Sequence, residues 1–307
     1  MKKFIKRTVI FALAFAMLLT SACAHDHNVS ESEKVALAAE LAQVSEVPAT
    51  INEYQAYLAS KAEEISTLSA DSASVNDEYV DALRDLTRYS SVELKRMGYS
   101  SGNIAIVEKL KSDPAYVPSS SELSRAASTL QFTFVCTNNK VRDTYSYFDF
   151  SWWFRWNSTP AYRSSDIVVA HWYGDYILSE STPTAEIIYT NVTTNGEDII
   201  KTVNFDSEAR NGISPSNKTW SLQFPMNQTT TVNGTKYQIF SKEGSGSFRL
   251  RCDMHNHTTA TVDWEYGHSI IEITGDIGFE IGTIFPTITF AEGTERMVEG
   301  SAIFYAN

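Results

Sequence analysis

Basic residues are in short supply in this sequence of 307 residues, which carries 25 lysines and arginines against 37 acidic residues. The formal net charge is −12 at pH 7. Such a surface repels phosphate backbones and anionic lipid headgroups, because like charges on two partners oppose association. The charge balance therefore argues against nucleic acid as a partner, and it leaves membrane attachment to a covalent lipid anchor.

Cysteine is also scarce, with three residues in the whole chain. Once Cys23 is removed with a leader or acylated, Cys136 and Cys252 remain, which limits the mature chain to one internal disulfide. Strand alternation places them on apolar faces, beside Phe134 and Leu250. In an oxidising compartment this predicts a bridge between Cys136 and Cys252, with two separate buried thiols as the alternative.

The N-terminus has an uncharged run, residues 8–19, that is too short to predict a membrane-spanning helix. Basic residues precede it, namely Lys2, Lys3, Lys6 and Arg7, and small residues follow it at 20–24. This order of basic, apolar and small segments predicts a secretory signal peptide over residues 1–24 and an extracellular protein.

Two ways of processing that leader remain open. Cleavage after Ala24 fits the rule of small residues at the cleavage site and gives a free secreted protein that begins at His25. Residues 19–23, Leu-Thr-Ser-Ala-Cys, instead resemble a bacterial lipobox, in which Cys23 becomes the acylated first residue. The second route predicts a lipoprotein anchored to the cell membrane through Cys23.

Histidines suggest two candidate sites for a divalent metal, and no other cofactor is expected. Asp253, His255 and His257 fall at alternate positions and would share one strand face, where they could hold an ion such as Zn²⁺. If cleavage follows Ala24, the free amine, His25 and His27 resemble an amino-terminal copper or nickel motif. The alternatives are a polar outer strand face and a short polar tether.

Catalytic motifs are missing from the sequence. It contains no Gly-x-Ser-x-Gly elbow, no His-Glu-x-x-His pair and no phosphate-binding Gly-Lys-Ser/Thr loop. These absences favour a non-enzymatic protein. A secreted hydrolase with dispersed carboxylates stays as an alternative, because the spacing of such acids in space cannot be taken from the sequence.

Helical patterns dominate residues 25–112. Ser-Glu-Ser-Glu at 30–33 is a capping-box signature, and Gly98 stands where a helix would end. Pro114 and the Pro-Ser-Ser-Ser run at 118–121 interrupt the pattern. We therefore expect a helical region at 25–112 and a linker at 113–128.

Two-residue periodicity begins at Thr129. Five large aromatic residues fall at every second position and would line one face of a single strand: Phe148, Phe150, Trp152, Phe154 and Trp156. Many further short alternating segments follow, separated by Gly, Asn and Pro turns. The sequence thus predicts an α+β protein, in which a helical region precedes an antiparallel, jelly-roll-like β-sandwich domain at 129–307.

Tyr145, Tyr147 and Trp153 fall on the opposite face of that aromatic strand. Flat rings with polar edges suit stacking against pyranose sugars, so these three residues are the candidate binding site, with ordinary packing as the alternative. The leading hypothesis is an extracellular or cell-surface binding protein whose partner is a surface glycan or another protein.

The segment at 275–290 alternates Ile and Phe with Gly, Thr and Glu. A membrane-inserting hairpin of a pore-forming protein has this alternating pattern, and so does an ordinary edge hairpin. Pore formation is therefore a further alternative.

The chain resembles a set of uncharacterised exported proteins of Gram-positive bacteria. The resemblance rests on Leu94, residues 98–100, Ile104 and residues 126–134, 150–156, 166–168 and 257–286. It implies export and a helical segment before a β domain, and it implies no activity.

Overall fold

The computed structural model describes residues 49–67, 77–142, 144–253, 258–269, 279–281, 288–290 and 294–305. The helices are α1 (Glu53–Thr67), α2 (Asp77–Asp85), α3 (Ser91–Arg96), α4 (Ser101–Ser112), α5 (Ser120–Ala126) and α6 (Asp206–Asn211), and a 3₁₀ turn spans Leu86–Arg88. The strands are β1 (Ala49–Asn52), β2 (Thr129–Val141), β3 (Ser146–Trp156), β4 (Ser165–Trp172), β5 (Ile177–Leu178), β6 (Thr184–Val192), β7 (Asp198–Asn204), β8 (Ile213–Ser214), β9 (Thr219–Pro225), β10 (Asn227–Val232), β11 (Thr235–Cys252), β12 (Thr259–Ser269), β13 (Phe279–Ile281), β14 (Ile288–Phe290) and β15 (Thr294–Tyr305).

The strands form two principal antiparallel sheets. The larger sheet has the order β1-β2-β3-β11-β6-β7, with β5 and β10 also paired to β11. The smaller sheet has the order β15-β12-β4-β9-β8. Their facing sides share one apolar core. This arrangement confirms the predicted antiparallel β architecture, whereas the jelly-roll connectivity stays a prediction.

The aromatic row of β3 lies in that core, as the alternation predicted. All five of its members are at most 1% exposed. Phe154 stacks on Phe224 of the smaller sheet with ring centroids 5.2 Å apart, and Phe150 meets Phe304 edge-on at 5.0 Å. Burying each such side chain contributes roughly 1.5–3 kcal/mol, so β3 is central to the stability of the sandwich.

The helices before the sandwich have an apolar cluster of their own. Three of these helices, α3, α4 and α5, follow a serine whose side chain caps them. At α3, Ser90 Oγ accepts from the Glu93 amide at 3.3 Å while the Glu93 carboxylate accepts from the Ser90 amide at 2.7 Å, and α5 repeats this capping box. No helix among the described residues is both long and apolar enough to cross a membrane.

The fold differs from the sequence prediction in two places before residue 129. β1 lies within the region expected to be helical and pairs with β2, so it joins the larger sheet. α5 lies within the predicted linker at 113–128, and its Leu123 and Ala126 are buried. The serines at 119–121 therefore begin a packed helix and do not form the predicted break. Most of the residues predicted as signal peptide and early helix lie outside the described residues.

Cys136 and Cys252 are both buried, as predicted, but they are free thiols and form no disulfide. Cys136 on β2 is opposite Phe150, and Cys252 on β11 is opposite Ser146, with β3 between the two strands. Two strand spacings and a four-residue offset separate them by about 10 Å across and about 13 Å along the sheet. A disulfide needs Cα atoms about 4.4–6.8 Å apart, so the predicted bridge is wrong.

We expect both thiols to resist alkylation in the folded protein and to react fully in denaturant without any reductant. Burial raises the pKa of the Cys136 thiol to about 12, which removes the reactive thiolate. Peptide mass mapping after iodoacetamide treatment at pH 8, with and without urea, measures this. A cross-linked peptide that contains Cys136 and Cys252 would contradict the structure.

β13 and β14 pair with each other and lie outside the two principal sheets. Ile288 is buried, and it packs with partly buried Phe279 and Phe290 against Ile167 and Val169 of β4. Those two β4 residues alternate with Val168, which faces the shared core. The two short strands thus cover the face of the smaller sheet that points away from the sandwich interior.

Candidate functional site

The larger sheet has an outer face, which we define as the side opposite the shared core and centred on Trp153 of β3. Tyr147, Asp149, Trp153 and Arg155 alternate there with the buried aromatic row. Tyr145, just before β3, stacks on Tyr147 with ring centroids 6.3 Å apart. The structure therefore brings the three residues predicted to bind onto one surface.

The two tyrosines are already engaged by arginines of β11. Arg249 lies over the Tyr147 ring at 4.3 Å and Arg251 lies over the Tyr145 ring at 4.9 Å. Arg249 also donates to both carboxylate oxygens of Asp149, at 2.5 and 2.9 Å, and this hydrogen bonding raises the pKa of Arg249. These cation–π and ionic contacts engage both tyrosine rings, and the binding role of the two tyrosines stays a prediction.

Trp153 differs from the other tryptophans of the chain. All six lie in the described residues, and five are at most 2% exposed, whereas Trp153 is partly exposed. Its neighbours across the sheet are Thr133 on β2 and Ser245 on β11. No aromatic ring or cation lies against its indole within the described part of the chain. An apolar ring thus stands among hydroxyl groups on the sheet surface.

A depression of about 330 Å³ lies at the end of β3, where Arg155 stands two residues beyond Trp153 on the same face. Its lining residues are Gln131, Arg155, Asn157 and Lys242. A β-bulge between Ser241 and Glu243 shifts the register of β11 against β6 and leaves Lys242 as the extra residue. The Lys242 ammonium donates to the Asn157 carbonyl oxygen at 2.8 Å.

Two cations, Arg155 and Lys242, line this depression, and Glu243 lies close to Arg155. Arg155 Nε and Glu243 Oε2 are 3.7 Å apart, which is a loose ion pair. Burial lowers the pKa of Lys242, and the nearby positive charge of Arg155 lowers it further. Sequence reasoning missed both basic residues. Strict alternation from Phe248 would point Lys242 inward, and no sequence signal marks the bulge that turns it outward.

Comparisons with known proteins return distant structural likenesses. The collagen-binding domain of a Staphylococcus aureus adhesin shares 6% identity at a TM-score of 0.26, covering 55% of this chain and 94% of its own. AvmM, described as catalysing macrocyclization in alchivemycin A biosynthesis, shares 11% identity at a TM-score of 0.25, covering 58% and 89%. ACE19, the collagen-binding subdomain of an Enterococcus faecalis surface protein, shares 8% identity at 0.20, covering 51% and 87%.

No protein-family model and no curated protein matches the sequence. TM-scores of this size do not establish a shared fold.

The predicted metal sites lie largely outside the described residues. His25, His27, His255 and His257 all do, as does the candidate lipid anchor Cys23. Asp253 is described, and it is exposed and accepts from Arg251 Nε at 2.5 Å. Within the described ranges, no group of three histidines, cysteines or acids is arranged to hold a metal ion. Both metal sites remain predictions.

A buried polar network joins the helices to the sandwich. His268 of β12 and Asp166 of β4 are fully buried, and the His268 Nδ1 atom lies 2.6 Å from Asp166 Oδ1. The other oxygen of Asp166 accepts from the Tyr266 hydroxyl and from Trp156 Nε1. Asp166 of β4 thus contacts two residues of β12 in its own sheet and one residue of β3 in the larger sheet.

Glu53, the first residue of α1, extends the network to the helices. Its Oε1 atom accepts from the Ala161 and Tyr162 amides at 2.7 and 3.2 Å and lies 3.8 Å from His268 Nε2. Its Oε2 atom accepts from the Tyr79 hydroxyl at 3.0 Å. Burial opposes a charged imidazole, but Asp166 and Glu53 outweigh it and raise the pKa of His268 to about 10. With no exposure to solvent, this group is structural.

Proposed function

We propose that this protein is an extracellular, cell-surface interaction module that binds glycan on the outer face of its larger sheet. The observation that carries the proposal is the partly exposed Trp153 indole, set between the hydroxyl side chains of Thr133 and Ser245. The proposal includes export through the signal peptide expected at residues 1–24, as a secreted or lipid-anchored form.

The chemistry of this surface suits a sugar ring. An indole offers a flat apolar face to the C–H face of a pyranose, while neighbouring hydroxyls exchange hydrogen bonds with sugar hydroxyls. Ser151 and Ser247 continue the polar row beside Trp153. β3 is rigid, because its other face carries the buried aromatic row, so binding costs little ordering of the backbone.

Replacing Trp153 by alanine is expected to lower retention on insoluble cell-wall polysaccharide by at least tenfold. Truncating a central tryptophan of an interface commonly costs about 2 kcal/mol or more, which is about 30-fold in affinity. A pull-down on washed cell-wall polysaccharide measures it, with Trp153→Phe retaining part of the binding.

Tyr305→Ala is the matched control. Tyr305 is an exposed aromatic residue of β15 in the smaller sheet, with 66% of its surface accessible. We expect this variant to bind like the unmodified protein. Unchanged retention of the Trp153→Ala variant would overturn the glycan proposal and leave a protein partner as the occupant of the outer face.

The other two hypotheses remain predictions with less support. The outer-face acids described above, Asp149, Glu243 and Asp253, each face an arginine, so nothing here favours a hydrolase over a binding module. Pore formation would require β13 and β14 to leave their apolar contacts on Ile167 and Val169. Dye release from liposomes tests that step directly.

A further inference from the structure

We infer that the depression beside Trp153 is a carboxylate-binding subsite, and that the preferred ligand is a glycan that contains uronic acid. The inference rests on the proposed function and adds the charge class of the sugar. Its basis is the convergence of Arg155 and Lys242 on one side of an aromatic platform, in a protein with a formal net charge of −12.

The β-bulge provides the first part of this subsite. Because Lys242 is the extra residue of β11, it lies next to Glu243 on the outer face and does not alternate with it. Bulges commonly re-aim a side chain beside a functional site. The bulge brings the ammonium to the Asn157 carbonyl oxygen and into the same depression as the Arg155 guanidinium.

The local charges favour an anion. Lys242 is partly desolvated, and the neighbouring Arg155 makes its charged form less favourable, so a bound carboxylate would relieve the repulsion between the two cations. Glu243 is the acid within reach, and its Oε2 atom lies 3.7 Å from Arg155 Nε, beyond hydrogen-bonding distance. The guanidinium therefore keeps donors for a bidentate contact.

Asn157 adds a fixed donor. Its side-chain oxygen accepts from the Thr129 amide at 2.8 Å and from the Ser128 and Ser158 hydroxyls at 3.0 and 3.1 Å. These three hydrogen bonds hold the amide group, so that its nitrogen points away from them. Gln131, the remaining lining residue, carries a second amide. Neutral amide donors and two cations make a suitable environment for a planar carboxylate.

The spacing also fits a single sugar unit. Trp153 and Arg155 are alternate residues of β3, so their Cα atoms are about 7 Å apart on the same face. A pyranose ring stacked on the indole would direct its carboxylate substituent toward Arg155 and Lys242. Stacking would supply general affinity for sugars, and the subsite would select the acidic ones.

The test compares acidic polysaccharides with their carboxyl-reduced forms. Polygalacturonate, alginate and hyaluronan, each with its reduced counterpart, are measured by affinity electrophoresis against the full chain. We expect at least one acidic polymer to bind tenfold or more tightly than its reduced form, and the preference to shrink as salt is raised. Arg155→Gln and Lys242→Gln should each remove most of that preference by weakening the binding of the acidic polymer.

Lys236→Gln is the charge-matched control, since Lys236 is exposed at the start of β11, opposite Thr231. It should keep the full preference. Equal binding of every acidic polymer and its reduced form would overturn the carboxylate subsite but leave the stacking proposal intact. Binding of neither form of any polymer, together with no effect of Trp153→Ala on cell-wall retention, would overturn both.

Discussion

Replacing Asp166 by alanine is expected to lower the free energy of unfolding by about 3–5 kcal/mol, the range for breaking a buried ion pair by removal of one partner. The His268 imidazole would lose the carboxylate oxygen that lies 2.6 Å from its Nδ1 atom. Tyr266 and Trp156 would lose a buried acceptor, and an unsatisfied donor costs about 1–3 kcal/mol. Urea unfolding followed by tryptophan fluorescence measures the loss.

Two companion variants show whether charge and burial are responsible. Asp166→Asn keeps the size of the side chain and an acceptor but removes the charge, so it should be intermediate. Asp149→Ala breaks the ion pair with Arg249 on the partly exposed outer face, where we expect a cost of about 1 kcal/mol or less. A similar small loss for Asp166→Ala would contradict the buried charged network.

The architecture of the β domain was predictable because strand periodicity is local. Phe148 through Trp156 repeat every second residue, and one pleated strand is the structure that buries all of them together. The same parity correctly set Trp153 on the opposite face and Cys136 and Cys252 on buried ones. The parity of a position predicts which face of a strand a residue occupies. It does not predict which strands are neighbours in a sheet.

The failed disulfide illustrates that limit. Parity gave the correct face for both cysteines, but the strand order places β3 between them. Strand order is set by contacts between distant parts of the chain. The close approach of β11 to β3 is one such contact, where a Cβ atom on Gly246 would lie 2.5 Å from the Trp152 ring. A glycine in a strand signals a close approach without naming the partner.

The depression at the end of β3 and the buried network around His268 escaped prediction for the same reason. Lys242 reaches the outer face through a bulge whose position depends on the pairing of β11 with β6. Glu53 and His268 are 215 positions apart in sequence, yet their side chains lie 3.8 Å apart. Glu53 stands at the start of a helix, where an acidic residue is ordinary, so nothing local marks it as buried. Both clusters required the tertiary structure.

Raising the pH is expected to weaken the junction between the helices and the sandwich. The pKa of His268 sets the pH range of this effect. Its pKa in the folded protein is raised to about 10, against the ordinary value of 6.5 when unfolded. Since the folded state holds this proton more tightly, its contribution is complete below about pH 6.5 and is lost as the pH rises through about 10. The groups that face it are Asp166 and Glu53, with the Tyr266 and Tyr79 hydroxyls bound to those carboxylates.

The measurement compares the unmodified protein with His268→Gln by urea unfolding at pH 6, 7, 8 and 9. The difference in unfolding free energy between the unmodified protein and the variant should shrink by up to about 1.4 kcal/mol per pH unit above pH 6.5. This is the effect of one proton that is bound in the folded state and released on unfolding. Glu265, whose pKa burial raises to about 8, also weakens stability with rising pH, but it is present in both proteins and cancels. A difference that stays constant from pH 6 to 9 would show that His268 is neutral in the folded protein and would contradict the charged network.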